Sequence, residues 1–459
     1  MITKIEIDGF KSFKNFSMEF TPFTVIAGIN ASGKSNLFDA LELLSRLSSM
    51  SLRDAFPDTR GTVNELFTLI DEDIYVDTMS FAVEMLVERK VKDNWGLEAE
   101  IKSPRLRYEL KIERKKNSRG FDELSILHEY LDKISTENDS WSKKIIPRQK
   151  QYLWKSTQKG GSSNPFINTE MKNGLPSIYI RQDGGQGGKA TPARTVSQTV
   201  LSGVNSVDFP HVFAAKEEMR NWRFMQLNPE DLRKPTIQDA KMSYDITHSG
   251  ANLASALFRM KEEDEYILVE IGRELIKFLP EYVGVDVIND EANKQFIIKL
   301  KHKDGKEFSS RVLSEGTLRL LALTIMQFDE KHKGLLCFEE PENGIHPQRI
   351  RLMTELLYNL SANFRNDDMN LRQVIVNTHS PLLVRDMLNI TGTNTNSVWL
   401  SKMTTLITEI NGKRQKIKIT QIHSVSRKRE YSLFETTQMS LADLENYLNT
   451  LKEEPELND

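Results

Sequence analysis

The chain has 459 residues, 62 Lys+Arg against 65 Asp+Glu for a formal charge of −3, and one cysteine, Cys337. That length allows a large core and more than one domain, the balanced charge gives no global basic footprint for nucleic acid, and a lone cysteine excludes a disulfide framework and suits a reducing cytoplasm. No stretch approaches the roughly 18 apolar residues of a membrane span, and MITKIEIDGF at the N-terminus lacks the apolar region of a signal peptide, so a cytoplasmic protein without a membrane partner is expected.

Phe23 to Ala27 is a short apolar run that reads as a buried strand. Gly28-Ile29-Asn30-Ala31-Ser32-Gly33-Lys34-Ser35 follows and fits G-x-x-x-x-G-K-[ST] at every fixed position. Leu37, Ala40, Leu41, Leu44 and Leu47 then recur at helical spacing. In such a strand–loop–helix unit the glycines let backbone N–H groups turn inward around a β-phosphate, and the helix start adds its dipole. Lys34 is placed to reach the β- and γ-phosphates and Ser35 to hold Mg²⁺. Gly28, Asn30, Ala31, Ser32, Gly33, Lys34, Ser35 and Asn36 are the candidate ATP contacts.

Residues 74–88, 105–114 and 123–134 alternate polar and apolar positions, predicting antiparallel strands that extend the first lobe. From 139 to 200 the chain is polar and loop-rich. There Lys143, Lys144, Arg148, Lys150, Lys155 and Lys159 interleave with Trp141, Tyr152 and Trp154. Charge for phosphates and rings for stacking would suit nucleic acid, although a solvated insertion is the simpler account. Residues 250–280 carry helical periodicity and predict a helical lobe. Between 60 and 310 no heptads are sustained, so no long coiled-coil arm is expected.

Ser314 is a natural N-cap, Gly316 permits close approach, and Leu318, Leu321, Ala322 and Ile325 line one helical face. Farther on, Leu335 to Phe338 run straight into Glu339, Glu340, Pro341 and Glu342. Carboxylates at the end of a buried strand are costly unless a cation faces them, and Mg²⁺ with Lys34 supplies one. Glu339 takes the Mg²⁺ role through a bound water, Glu340 is the candidate catalytic base, and Pro341 ends the strand, with Glu342 read as a solvated turn acid. A third apolar strand runs into Asn377-Thr378-His379-Ser380-Pro381, which places His379 to sense a γ-phosphate. The tail is basic over 413–430, and Ser440 is placed to cap a short helix using Leu441, Leu444, Tyr447 and Leu448 as a docking face.

Taken together, the motifs resemble the ABC-type ATPase head shared by RecF and SMC proteins and their double-strand-break-repair relatives. More closely, GINASGKSN, LSEGTLR, FEEPENGIHP and NTHSP resemble the prokaryotic AAA-labelled ATPases of the overcoming-lysogenization-defect group, including Glu-Glu where others carry Asp-Glu. The matching motifs cover 1–50 and 235–400. The resemblance implies an α/β P-loop ABC-type head: a mixed sheet with helices, an antiparallel β lobe and a helical lobe. It implies four segments: 1–60 with the phosphate loop, 61–234 as β lobe and divergent insertion, 235–400 as helical lobe and second half of the core, and 401–459 as a tail.

It also implies a composite site, in which Ser314, Glu315 and Gly316 of one protomer cap the γ-phosphate held by Lys34 of another. Asn343 to His346 would form the loop between the acid strand and that neighbour. No glutamine is identifiable as the Q-loop residue. ATPases of this size and motif set resemble the ATPase subunits of Septu, PARIS and retron-associated anti-phage systems. That implies a homo-oligomer, at least a dimer, acting as an ATP-controlled sensor and scaffold for a separately encoded nuclease effector. The segment after His379 is shorter than a fused TOPRIM nuclease needs, and the eight histidines show no metal-ligand spacing. The alternative is a RecF-like repair ATPase that binds DNA directly; an ATP-driven transport subunit is a weaker third reading.

Overall fold

Three apolar strands far apart in sequence lie side by side at the centre of the protein. In the computed structural model the central sheet has the order Arg223–Met225, Leu335–Glu339, Gln373–Thr378, Phe23–Ala27, Val398–Ile410, Lys413–Val425, Gln438–Met439. The first five are mutually parallel, and the next turns back antiparallel as a hairpin. The structure describes all residues except 58, 73, 158–163, 173, 186–187, 194–195, 239–244, 332, 367–369, 392–396, 411–412, 426–437 and 440–459. Lys159 and the proposed docking helix from Ser440 to Leu448 therefore lie outside the described residues.

The parallel strands read as unbroken apolar runs because both faces are covered. Ile26, Leu335, Cys337 and Ile375 point into a core shared with the helix Lys34–Leu47 and the antiparallel lobe. Their alternates Val25, Ala27, Leu336, Phe338, Val374 and Val376 point into a second core with the helices Glu315–Phe328 and Pro347–Leu360. Parallel register aligns the strand ends: Glu339 pairs with Asn377, Asn377 with Ile26, and Thr378 with Ala27. The carboxyl ends of all three strands thus meet at one edge, where α/β sheets bind ligands.

The predicted alternating strands form an eight-stranded antiparallel sheet, together with the N-terminal hairpin. Its order is Lys189–Pro192, Leu175–Ile180, Ile167–Lys172, Asp122–Lys133, Arg105–Lys116, Thr78–Leu86, Ile2–Asp8, Phe16–Glu19. The region from 139 to 200 is more ordered than its composition suggested, contributing three of these strands and the short helix Ser140–Ile145. Trp141 and Trp154 are not surface rings but are 3% and 4% exposed. Both meet Phe364 edge-on, and Trp141 Nε1 donates to the Phe20 carbonyl at 2.6 Å. Large aromatic area, and for Trp141 a buried partner for the indole N–H, make the core their stable place. Of the three rings assigned to nucleic acid, Tyr152 alone is exposed, which removes most of the stacking support for direct DNA binding.

The helical periodicity of 250–280 forms two helices, Leu253–Glu263 and Ile267–Phe278. They pack on strands that the sequence reading did not single out: Tyr282–Asp290, Gln295–His302 and Glu307–Ser309, with Thr236–Ile237 completing a small antiparallel sheet. Among the described residues no helix is long and apolar enough to cross a membrane.

Candidate nucleotide site

The phosphate loop leaves the strand Phe23–Ala27 in an unusual backbone, with φ of +156° at Gly28, +61° at Ala31 and +90° at Gly33. Gly33 is the N-cap of the helix Lys34–Leu47 and provides no side-chain cap; Asn36 N donates to the Gly33 carbonyl at 3.2 Å, and the Lys34 and Ser35 N–H groups ahead of it stay available to an anion. Lys34 is buried and folds back on the loop, its Nζ donating to the carbonyls of Gly28 at 2.7 Å and Ile29 at 3.0 Å. Burial lowers its pKa, against the opposing pull of Glu340, Glu342 and Glu339. Ser35 Oγ donates to Glu339 Oε1 at 2.8 Å, and Asn377 Nδ2 approaches the same hydroxyl at 3.5 Å. Among the described residues the buried Ser32 Oγ and Asn377 Oδ1 have no hydrogen-bond partner. Uncapped N–H groups, an ammonium resting on carbonyls, a hydroxyl–carboxylate pair and two orphaned polar atoms fit a triphosphate with Mg²⁺.

Glu340 sits one residue beyond the strand with φ +45°, a conformation a β-carbon disfavours. Its N–H donates to the Asn377 carbonyl at 2.8 Å, which pins the turn to the neighbouring strand. Asn343 Nδ2 donates to Glu340 Oε2 at 2.9 Å, and His379 Nδ1 lies 3.1 Å from Oε1. Burial would raise this carboxyl's pKa, but the bonds from Asn343 and His379 outweigh it and hold the group below the ordinary carboxylate value. Glu342, read from sequence as a solvated turn acid, is instead buried and accepts from the Thr378 hydroxyl. Its pKa is raised by burial. Pro341 turns it inward under the strand end, where Thr378 donates to Oε1 and the buried Oε2 has no hydrogen-bond partner among the described residues.

The predicted residues thus fall into two groups. Lys34, Ser35, Glu339, Glu340 and His379 converge at the strand ends. Ser314, Glu315 and Gly316 begin the helix Glu315–Phe328, where Ser314 Oγ accepts from Thr317 N at 3.3 Å and pairs with Thr317 Oγ1 at 2.8 Å. Ser314 and Glu315 are exposed. A Cβ on Gly316 would meet the Gly344 carbonyl at 3.6 Å, an ordinary contact, so the chain's own packing does not require glycine there. Asn343 bonds Glu340, and His346 caps the helix Pro347–Leu360.

Two polar residues at this site carried no motif. Arg60 bridges Asp39 Oδ1 at 3.2 Å and Glu339 Oε1 at 3.4 Å, and Asp39 also holds Lys11 Nζ at 2.7 Å. Burial lowers the Arg60 pKa, but Asp39 and Glu339 outweigh it and raise it. Gln226 follows the edge strand whose Met225 pairs with Phe338, so it stands level with Glu339. Glu339, Arg60, Gln226 and His248 share a cavity of about 590 Å³. The parallel register, not a motif in the sequence, brings Gln226 beside Glu339 in this cavity.

Residues 23–385 match a family described as "AAA domain, putative AbiEii toxin, Type IV TA system". A protein of Helicobacter pylori described as "ATP/GTP phosphatase" is 23% identical over 386 residues, covering 83% of this chain and 85% of that protein. Among solved structures, an SMC head bound to the C-terminal winged-helix domain of ScpA shows 15% identity and a TM-score of 0.49, covering 92% of this chain and 98% of that one. The SMC head domain from Thermotoga maritima shows 14% identity and a TM-score of 0.39, covering 93% and 99%. The chain belongs to this AAA-domain family, and it is an ATPase with an α/β fold built around a phosphate-loop motif.

Proposed function

We propose that this ATPase works as a pair of copies closed over ATP, and that the closed assembly is the sensor and scaffold of a separately encoded nuclease effector in anti-phage defence. The observation that carries the pairing is Gly316. An exposed helix start carries Ser314 and Glu315 and a glycine whose missing side chain none of the described residues needs. A close approach from outside, by the phosphates bound to another copy, accounts for it.

Within one copy, Lys34 would exchange its two carbonyl partners for the β- and γ-phosphates, while the N–H groups from Gly28 to Ser35 wrap them. Ser35 and Glu339 would hold Mg²⁺, which neutralises phosphate charge. Glu340 accepts the proton of the attacking water, and its lowered pKa keeps it ionised at neutral pH. His379, paired to its other oxygen, fixes the carboxylate's direction. Gln226 stands level with Glu339 to complete the polar lining.

The test is the solution mass of Glu340→Gln protein with and without Mg-ATP. A dimer or larger species that needs ATP and is lost in Ser314→Arg supports the composite site; a monomer under both conditions overturns the pairing. The effector half of the proposal fails if the neighbouring genes encode neither a nuclease nor a toxin.

A further inference from the structure

The C-terminal hairpin, Val398–Ile410 with Lys413–Val425, lies beyond the residues that match the family, yet it touches the phosphate loop at both glycines. Leu400 pairs in parallel with Ala27, which sets Ser401 beside Gly28. A Cβ on Gly28 would come within 2.6 Å of the Ser401 carbonyl, and Ser401 Oγ donates to the Ser32 carbonyl at 2.8 Å. On the other strand, a Cβ on Gly33 would collide with Thr420 Oγ1. Thr420 Oγ1 lies 2.6 Å from Ser12 Oγ, which also accepts from Asn36 Nδ2 at 2.7 Å in the first turn of the helix. Thr420 N donates to the Ser12 carbonyl at 2.8 Å. Ser401 and Thr420 are 5% and 2% exposed.

We infer that Ser401 and Thr420 are positioning residues for nucleotide binding. They form a hydroxyl backstop that holds the phosphate loop in its binding conformation. A loop that turns its N–H groups inward turns carbonyls outward, and those need donors on the outer side. Ser401 supplies one to Ser32. Thr420 closes the space beyond Gly33 and, through Ser12, ties down the Asn36 amide beside the first-turn N–H groups. The loop is therefore ordered before the nucleotide arrives, and less of the binding free energy is spent on ordering it. The inference rests on the proposal that ATP binds at this loop.

The experiment measures the Kd of a fluorescent, non-hydrolysable ATP analogue with Mg²⁺, and kcat at saturating ATP, in full-length Thr420→Val, Thr420→Ser, Ser401→Ala and Lys34→Ala. Thr420→Val and Ser401→Ala are expected to weaken the analogue by about 2- to 10-fold each, as for a lost hydrogen bond, with kcat held within about twofold. Thr420→Ser, which keeps the hydroxyl, should bind within about twofold of wild type. Equal losses in Thr420→Ser and Thr420→Val, or a fall in kcat at unchanged Kd, overturns the inference. Lys34→Ala separates the two failures. Normal binding in that variant overturns the nucleotide reading and the backstop with it. Lost binding there, with wild-type affinity in Thr420→Val and Ser401→Ala, overturns the backstop alone.

Discussion

Replacing Glu340 by glutamine changes one carboxylate oxygen to an amide and leaves the strained backbone, pinned to the Asn377 carbonyl, in place. The carboxylate now accepts from Asn343 at one oxygen and faces His379 at the other; the amide keeps one acceptor and turns a donor toward the second partner. Loss of a general base lowers kcat by about 10²- to 10⁴-fold, which is about 2.7–5.4 kcal/mol of barrier at 1.36 kcal/mol per tenfold. Affinity should move the other way. Lys34 shares its surroundings with Glu339, Glu340 and Glu342, and removing one of three negative charges eases the approach of an anion. Phosphate release at saturating ATP reads kcat, and analogue titration reads Kd. A kcat within about threefold of wild type would refute the assignment of Glu340 as base. The wild-type pH profile gives a second check. A depressed pKa leaves the base form intact above the ordinary carboxylate range, so the Glu340-dependent part of kcat is lost only as pH falls below that range.

Gly33→Ala puts a β-carbon into Thr420 at φ +90°, so analogue binding should be abolished and the melting temperature lowered; a variant that binds normally would contradict the loop geometry. Glu129 is fully buried, accepts from Val200 N, Leu201 N and the Tyr108 hydroxyl, and is pushed up by burial to about 7 from an ordinary 4.5. Its neutral form is favoured by folding, so its contribution of about 3 kcal/mol is complete below about pH 4.5 and lost as pH rises through about 7. Glu129→Gln lacks that loss, and the melting-temperature gap to wild type should shrink from about pH 5 to about pH 8; a constant gap refutes it. Trp141→Ala opens a cavity against Phe364 and orphans the Phe20 carbonyl, costing about 3–5 kcal/mol in chemical denaturation. A surface role for the ring predicts almost no change.

The phosphate loop, the Glu339-Glu340 pair and His379 were legible because each is a local rule: an apolar strand, then the residues its end must present. The strands between 282 and 309 were equally open to reading, since Val285 and Val287, then Phe296, Ile298 and Leu300, are buried at alternate positions. Trp141 and Trp154 misled because a polar neighbourhood in sequence is not one in space; Phe364, more than two hundred residues away in the chain, covers both. Glu342 misled because the inward turn after Pro341 depends on Thr378 of the next strand.

The sequence by itself determined that a glycine-rich loop, two acids and a histidine end three buried strands, since periodicity and residue chemistry act over a few neighbours. Tertiary structure alone decided that Gln226 stands level with Glu339, that Arg60 reaches it, and that Ser401 and Thr420 brace the loop. Gln226, Ser401 and Thr420 are placed by strand register and by a hairpin closing from the far end of the chain, and Arg60 by a loop that reaches Asp39 and Glu339; none of these leaves a spacing to read along the chain.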